Sequence, residues 1–329
     1  MVLGRQSSVS SSPLALRDVP EPVPGPGEIR VRVRACGLCR TDLHVIEGDL
    51  PARRLPLIPG HQVVGVVDLL GAGAGRFKVG DRVGIAWLRR TCGRCAHCRA
   101  GRENLCELSE YTGYHADGGY AELAVVPEAF AYAIPGTFRD AEATPLLCAG
   151  IIGFRALQRA EVPRGGTLGI WGFGSSAHIT IQVARARGCR VYVATRGARH
   201  QALARELGAA WVGGAHDPFP GKVDGGILFA PVGEWIPMAL RAIEKGGTLA
   251  VAGIWLSPIP PLDYERDLFY ERTLRSVTAN TRADGEALLA EAAAIPIRPR
   301  VTEFALEDAN LGLQRLQADG IDGTGVLLP

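Results

Sequence analysis

Two groups of metal-ligating side chains, with different spacings, occupy the first half of this 329-residue chain. Cys92, Cys95, Cys98 and Cys106 stand as C-x2-C-x2-C-x7-C within TCGRCAHCRAGRENLC, so one loop can wrap all four thiols around an ion. Cys39, His61 and Cys148 are far apart, and only the fold can bring them together. Four thiolates make a closed structural zinc site, whereas three mixed sulfur and nitrogen ligands leave one tetrahedral position open to a substrate. The expectation is two zinc ions per chain, one structural and one catalytic. Six of the eight cysteines are then ligands, and Cys36 and Cys189 are left as ordinary packed thiols.

The hydrophobic pattern changes character along the chain. PGPGEIRVRVRACG is a Pro/Gly turn followed by alternation, with Ile29, Val31, Val33 and Ala35 on one face and Arg30, Arg32 and Arg34 on the other. Further strands are expected at Gln62 to Leu69, Arg82 to Trp87 and Tyr120 to Val126, together a partly closed antiparallel barrel. From about Ala141 strands alternate with helices, the pattern of a doubly wound parallel sheet. Its strands are expected at Thr167 to Gly172, Arg190 to Ala194, Val223 to Phe229, Thr248 to Gly253 and Leu274 to Ala279, and GARHQALARELGA reads as a helix between two of them.

TLGIWGFGSSAHITIQVARARG carries a dinucleotide-binding pattern. Gly172, Gly174 and Ala177 form G-x-G-x-x-A after a strand and before an apolar helix, where glycines let a pyrophosphate approach and the helix N-terminus presents N–H groups to it. An Asp or Glu roughly 20 residues further on holds the ribose 2′-hydroxyl in NAD-preferring proteins. This chain has RVYVATRGAR there, with Thr195 and Arg196 in place of the acid and Arg199 nearby. A hydroxyl and a guanidinium suit a 2′-phosphate better, so the expected cofactor leans to NADP over NAD.

The surroundings of the scattered trio are ACGLCRTDLH at Cys39, PGHQVVGVV at His61 and TPLLCAG at Cys148. With the cysteine lobe between them, these segments resemble the zinc-containing alcohol dehydrogenases of the medium-chain dehydrogenase/reductase family, over nearly the whole chain. The resemblance implies a GroES-like catalytic domain, residues 1–144 and 281–329, around a Rossmann domain, residues 145–280. It also implies roles. Thr41 would bond the reacting oxygen and open a proton relay ending at His44, Asp42 would orient His61, and Arg40 would reach the cofactor pyrophosphate. Thr41 and Asp42 also stand where a helix starts, and either could cap it. Gln62 occupies a place usually held by Glu in the family, and a neutral amide cannot act there as a transient carboxylate ligand. Trp87 matches a pocket position where bulky aromatics restrict the site to small alcohols, and Leu50 falls near another pocket wall. Polyol and threonine dehydrogenases of this fold often place a carboxylate where Cys148 stands, which speaks against those activities.

Oxidising an alcohol by hydride transfer requires its hydroxyl proton to leave. Zinc lowers the pKa of an oxygen it holds from about 16 to about 7, on the order of 12 kcal/mol, so the metal term decides the chemistry. The expected function is a zinc-dependent alcohol dehydrogenase interconverting primary alcohols and aldehydes with NAD(P). The alternatives are an NADPH-preferring aldehyde reductase of the cinnamyl alcohol dehydrogenase type and, from another class, a non-catalytic zinc and nucleotide-binding protein. Net charge is only +2, and Lys78, Lys222 and Lys245 are the only lysines, with no polybasic block, so a nucleic-acid partner is not expected. No apolar run reaches the length of a signal peptide or a membrane span. A cytoplasmic homodimer or homotetramer is expected.

Overall fold

The computed structural model describes residues 1–295 and 297–329, and the chain divides into two compact units. The first comprises Met1–Cys148, Ala279–Ala293 and Arg298–Pro329, and the second Ala149–Thr278 with Ala294–Ile297.

The first unit is organised around the ten-residue strand Glu28–Gly37. Its alternation buries Ile29, Val31, Val33 and Ala35, and the opposite face carries arginines, of which Arg30 is held by Asp68 at 2.9 Å. This strand pairs antiparallel with Val63–Leu70, with Leu123–Pro127 and, at its end, with Thr324–Leu328. Val63–Leu70 continues to Arg82–Ile85 and then Ala131–Ala133, all antiparallel, while Val301–Ala305 adds in parallel to Thr324–Leu328. The result is the partly closed, mostly antiparallel barrel of a GroES-like domain.

The second unit is a six-stranded parallel sheet in the order Trp211–Gly213, Arg190–Ala194, Thr167–Trp171, Gly225–Leu228, Thr248–Val251, Thr273–Ser276. Numbered along the chain this is 3-2-1-4-5-6, the Rossmann arrangement, whose strand order reverses beside the first strand. The central strands Gly225–Leu228 and Thr248–Val251 are buried throughout, as strands covered by helices on both faces must be.

Several expected strands are shorter, among them Gly225–Leu228, Thr248–Val251 and Thr273–Ser276, and two of the differences bear on the site. Arg82–Ile85 stops short of Trp87, and Leu123–Pro127 starts after Tyr120. Both aromatic residues are thereby left in loops beside the metal-ligating side chains. For Tyr120 the cause is the preceding Gly118, whose Cα lies so close to the Gly60 carbonyl that a Cβ there would collide with it. That contact holds the loop against Gly60 before the strand begins.

Candidate metal centre and dinucleotide loop

The helix Arg40–Glu47 begins at Cys39, and its first turn builds half of the centre. Asp42 closes a capping box by accepting the Cys39 N–H on Oδ2 at 2.8 Å. The Thr41 N–H approaches Cys39 Sγ at 3.4 Å, so the thiol sits at the electropositive end of the helix. His61 comes from the turn before Val63–Leu70. Gly60 makes that turn possible: its φ is +96°, and a Cβ would strike the Tyr120 ring and lie 2.9 Å from Cys36 Sγ. Cys148 ends the first unit, one residue before the helix Ala149–Arg159.

These elements bring Cys39, His61 and Cys148 together with their donor atoms all within 4.8 Å of one another. Cys39 Sγ and Cys148 Sγ are 3.8 Å apart, and His61 Nε2 is 3.3 Å from Cys148 Sγ. On the far side of the ring, His61 Nδ1 lies 3.0 Å from Asp42 Oδ1. Asp42 is 1 % exposed and accepts a third bond on Oδ2 from the Tyr120 hydroxyl at 2.9 Å. One carboxylate thus caps the helix and braces the imidazole, so the capping and orienting readings of this residue describe the same geometry.

Without a metal the set behaves as a proton-sharing cluster. Burial works against a charged imidazole, but Asp42 and Cys39 carry the His61 pKa up to about 10. The Cys148 thiol donates to Cys39 and holds it well below the ordinary thiol value, while that same bond, together with burial, pushes Cys148 well above it. Two sulfurs and one nitrogen with a carboxylate behind the nitrogen fit a zinc ion with one position free.

The second ligand group is equally complete. Cys92, Cys95, Cys98 and Cys106 lie within 4.8 Å of one another, and backbone N–H groups of Cys92, Cys95 and Cys98 point at Cys106, Cys92 and Cys95 sulfurs at 3.3 to 3.4 Å. Backbone donors from Arg94 and Cys95 lower the Cys92 pKa to about 6, ready for thiolate ligation. Residues 91–102 contain no buried side chain, so the four sulfurs stand where an apolar core would otherwise be. The lobe is tied back at Glu103, which accepts from the Arg282 backbone N–H at 3.0 Å and its Nε at 3.2 Å.

Around His61 lies an aromatic wall. Trp87 meets His61 edge-on at 4.9 Å and stacks on Tyr111 at 4.8 Å and Tyr114 at 5.9 Å. Leu50 packs into the same group with Val45 and Leu57. Thr41 is nearly buried, and His44 is part-exposed with Nδ1 2.8 Å from Asp49. Arg40 is exposed and 3.7 Å from Asp319. Spacing gave no hint of Tyr120, Tyr111, Tyr114 or Asp49, because their parts depend on loops meeting in space.

In the second unit, Gly172 follows the first strand with φ +89°, and a Cβ there would lie 2.7 Å from the Ala230 nitrogen. Gly174 caps the helix Ser175–Ala186, and Ala177 is buried in its first turn, so the helix N-terminus is open to a pyrophosphate at the switch point of the sheet. Thr195, at the end of the second strand, is 3 % exposed and its Oγ1 accepts the Phe173 N–H at 3.2 Å. Arg196 and Arg199 are both exposed on the following turn.

One unit is a barrel carrying two metal-ligating sets and the other a Rossmann sheet with an open glycine turn, and a chain with both is a metal-dependent, dinucleotide-linked dehydrogenase. Residues 25–136 match the family described as alcohol dehydrogenase GroES-like domain, and residues 177–294 match zinc-binding dehydrogenase. The chain is 53% identical over 329 residues to a probable alcohol dehydrogenase of Mycobacterium tuberculosis, covering 98% of this chain and 95% of that one. A solved cinnamyl alcohol dehydrogenase from Sorghum bicolor superposes with TM-score 0.88 at 28% identity, covering 98% of this chain and 95% of that one. A cobalt- and zinc-bound thermostable alcohol dehydrogenase from Pyrobaculum aerophilum gives TM-score 0.89 at 26% identity, with 100% and 98% covered. The chain belongs to the zinc-containing medium-chain dehydrogenase/reductase family, alcohol dehydrogenase type. Its activity is zinc-dependent, NAD(P)-linked hydride transfer between alcohols and aldehydes. The non-catalytic alternative is left without support. Among the described residues no helix is long and apolar enough to cross a membrane.

Proposed function

We propose that the protein interconverts primary alcohols and their aldehydes, with NADP(H) as the preferred cofactor. The observation that carries this reading is the convergence of Cys39, His61 and Cys148, with Asp42 bracing His61 from behind. These three side chains would hold the catalytic zinc, and Cys92, Cys95, Cys98 and Cys106 the structural one. When bound, zinc polarises the substrate oxygen and the nicotinamide carries the hydride.

The chain's own residues do the rest. Asp42 fixes the imidazole so that Nε2 faces the metal position. Thr41, a nearly buried hydroxyl in the first helical turn, would hold the substrate hydroxyl proton, and the part-exposed His44 one turn on would release it to water. Trp87, fixed by Tyr111 and Tyr114, and Leu50 narrow the space beside His61. Gly172, Gly174 and Ala177 hold the pyrophosphate. Arg196, exposed and without a side-chain partner among the described residues, supplies charge for a 2′-phosphate, with Arg199 near it.

An NADPH-preferring reductase of aromatic aldehydes is the second reading. It is favoured by the flat aromatic group at Trp87, Tyr111 and Tyr114 and by the likeness to the Sorghum bicolor enzyme. A homo-oligomer also belongs to the proposal. Ile254, Trp255, Tyr264, Phe269 and Tyr270 are exposed along the segment leading to the edge strand Thr273–Ser276, whose outer edge carries no strand partner among the described residues. A panel of short, branched and aromatic alcohols and aldehydes, run in parallel with NAD(H) and NADP(H), tests the reading. Turnover confined to secondary alcohols, or to NAD(H), would overturn it.

A further inference from the structure

Gln6 follows the short strand Val2–Leu3 and belongs to none of the ligand or glycine motifs, yet its half-buried carboxamide makes three hydrogen bonds to one region. Nε2 donates to the Val45 carbonyl at 2.6 Å and to the Leu50 carbonyl at 2.9 Å, and Oε1 accepts the Ala52 N–H at 3.2 Å. Two carbonyls facing the nitrogen and one N–H facing the oxygen fix the amide in a single orientation. The Val45 carbonyl is one of the last four of the helix Arg40–Glu47, which have no partner within the helix, so that bond serves the helix end. The other two reach past the helix and grip the backbone on either side of Pro51. Because the Leu50 N–H also donates to the His44 carbonyl at 3.0 Å, both backbone polar groups of Leu50 are engaged.

What Gln6 holds is the loop behind the aromatic wall. Leu50 packs in one group with Val45, Leu57, Trp87 and Tyr114, and the Pro51 carbonyl accepts the Tyr114 hydroxyl at 3.0 Å. A pocket wall discriminates only as far as it resists being pushed aside, and a side chain carried on a loop resists only when its backbone is held by further hydrogen bonds. We propose that Gln6 is a positioning residue for substrate selectivity. By fixing the Leu50 backbone it keeps branched primary alcohols at a disadvantage to short ones. This rests on the reading of Leu50 as a wall of the substrate pocket.

The test is the ratio of kcat/KM for isobutanol to that for ethanol in the zinc-loaded full-length protein, for wild type, Gln6→Met, Leu50→Ala and the double variant. Gln6→Met keeps the length of the side chain and loses all three bonds. It should raise the ratio about 10-fold, the low end of what one methylene of pocket space is worth in discrimination, and Leu50→Ala should raise it at least as much. In the Leu50→Ala background Gln6→Met should change the ratio no further, since no wall is left to position, whereas a general loss of stability would act alike in both backgrounds. Gln6→Asn, with the amide on a shorter side chain, should fall between wild type and Gln6→Met, and it decides the matter if Gln6→Met does not fold. Zinc content and the cofactor KM are the controls for the fold. An unchanged ratio in the folded Gln6 variants would overturn the inference, as would an equal change in both backgrounds. If Leu50→Ala itself leaves the ratio unchanged, the reading of Leu50 as a wall falls, and this inference with it.

Discussion

His61 Nδ1 and Asp42 Oδ1 lie 3.0 Å apart, both withdrawn from solvent, and Asp42 is held in turn by Tyr120 and by the Cys39 backbone. The imidazole can present Nε2 to a metal only while Nδ1 is committed to that carboxylate. Asp42→Asn, which keeps the size and one acceptor but not the charge, should weaken zinc at the centre and lower kcat, each about 10- to 100-fold. Tyr120→Phe leaves Asp42 in place and should instead cost about 1.5 to 3 kcal/mol of stability, the worth of a hydrogen bond to a charged group. Denaturant melts and zinc retention measured on both variants separate the two effects. Full zinc retention in Asp42→Asn would show that the carboxylate does not brace the ligand.

The two ligand groups are independent in the fold, so the protein should carry two zinc ions per chain when fully loaded. Cys95→Ser should mainly impair folding, because residues 91–102 bury no side chain and the metal stands in for an apolar core there. Cys148→Ser should leave the fold largely intact and abolish turnover. Elemental analysis giving one zinc or none in fully active protein would remove the two-site arrangement.

Zinc binding at the centre should release protons. In metal-free protein near neutral pH, His61 (pKa about 10) and Cys148 (raised well above the ordinary thiol) hold their protons, whereas Cys39, lowered well below it, has lost its own. A metal needs neutral His61 and the Cys148 thiolate, so about two protons leave per zinc bound there. Affinity should fall as pH falls, because each displaced proton competes more strongly at low pH. Indicator-dye titration of the metal-free protein reads the count, with Cys148→Ser as the blank. No proton release at the centre would contradict the protonation pattern.

The ligands are legible in the chain because thiols and imidazole carry their chemistry with them. C-x2-C-x2-C-x7-C needs no fold to be recognised, and the strand alternation at Glu28–Gly37 follows from burial on one face. The parallel sheet is legible for the same reason, since strands buried on both faces must be apolar throughout. Tyr120 is not legible, because it reaches Asp42 only where Gly60 and Gly118 let two loops touch. Nor is the Thr195 hydroxyl's bond to Phe173, which depends on the second strand ending level with the glycine turn.

If Thr41 takes up the substrate proton and His44 passes it outwards, Thr41→Ala should cost far more rate than His44→Ala. His44 is part-exposed, so water can replace it, whereas the nearly buried Thr41 has no such substitute. General acid–base contributions run about 10² to 10⁴-fold, and Thr41→Ala should fall in that range on kcat. Equal, negligible losses in both variants would show that neither carries the proton.

The cofactor preference should follow Arg196. Thr195 is nearly enclosed and its hydroxyl is engaged by the Phe173 N–H, so its contribution is mainly the absence of a charge that would repel a 2′-phosphate. The exposed Arg196 has no side-chain partner among the described residues, and a charge-assisted hydrogen bond is worth about 1.5 to 3 kcal/mol, or roughly 10- to 150-fold in affinity. Solvent screening places an exposed arginine at the low end, so Arg196→Ala should raise the KM for NADP(H) about 10-fold with little change for NAD(H). Adding Thr195→Asp should push the preference further towards NAD(H), because an aspartate can still accept the Phe173 N–H while repelling the phosphate. A wild-type preference for NAD(H) that neither change alters would mean that Arg196 is a solvated surface charge.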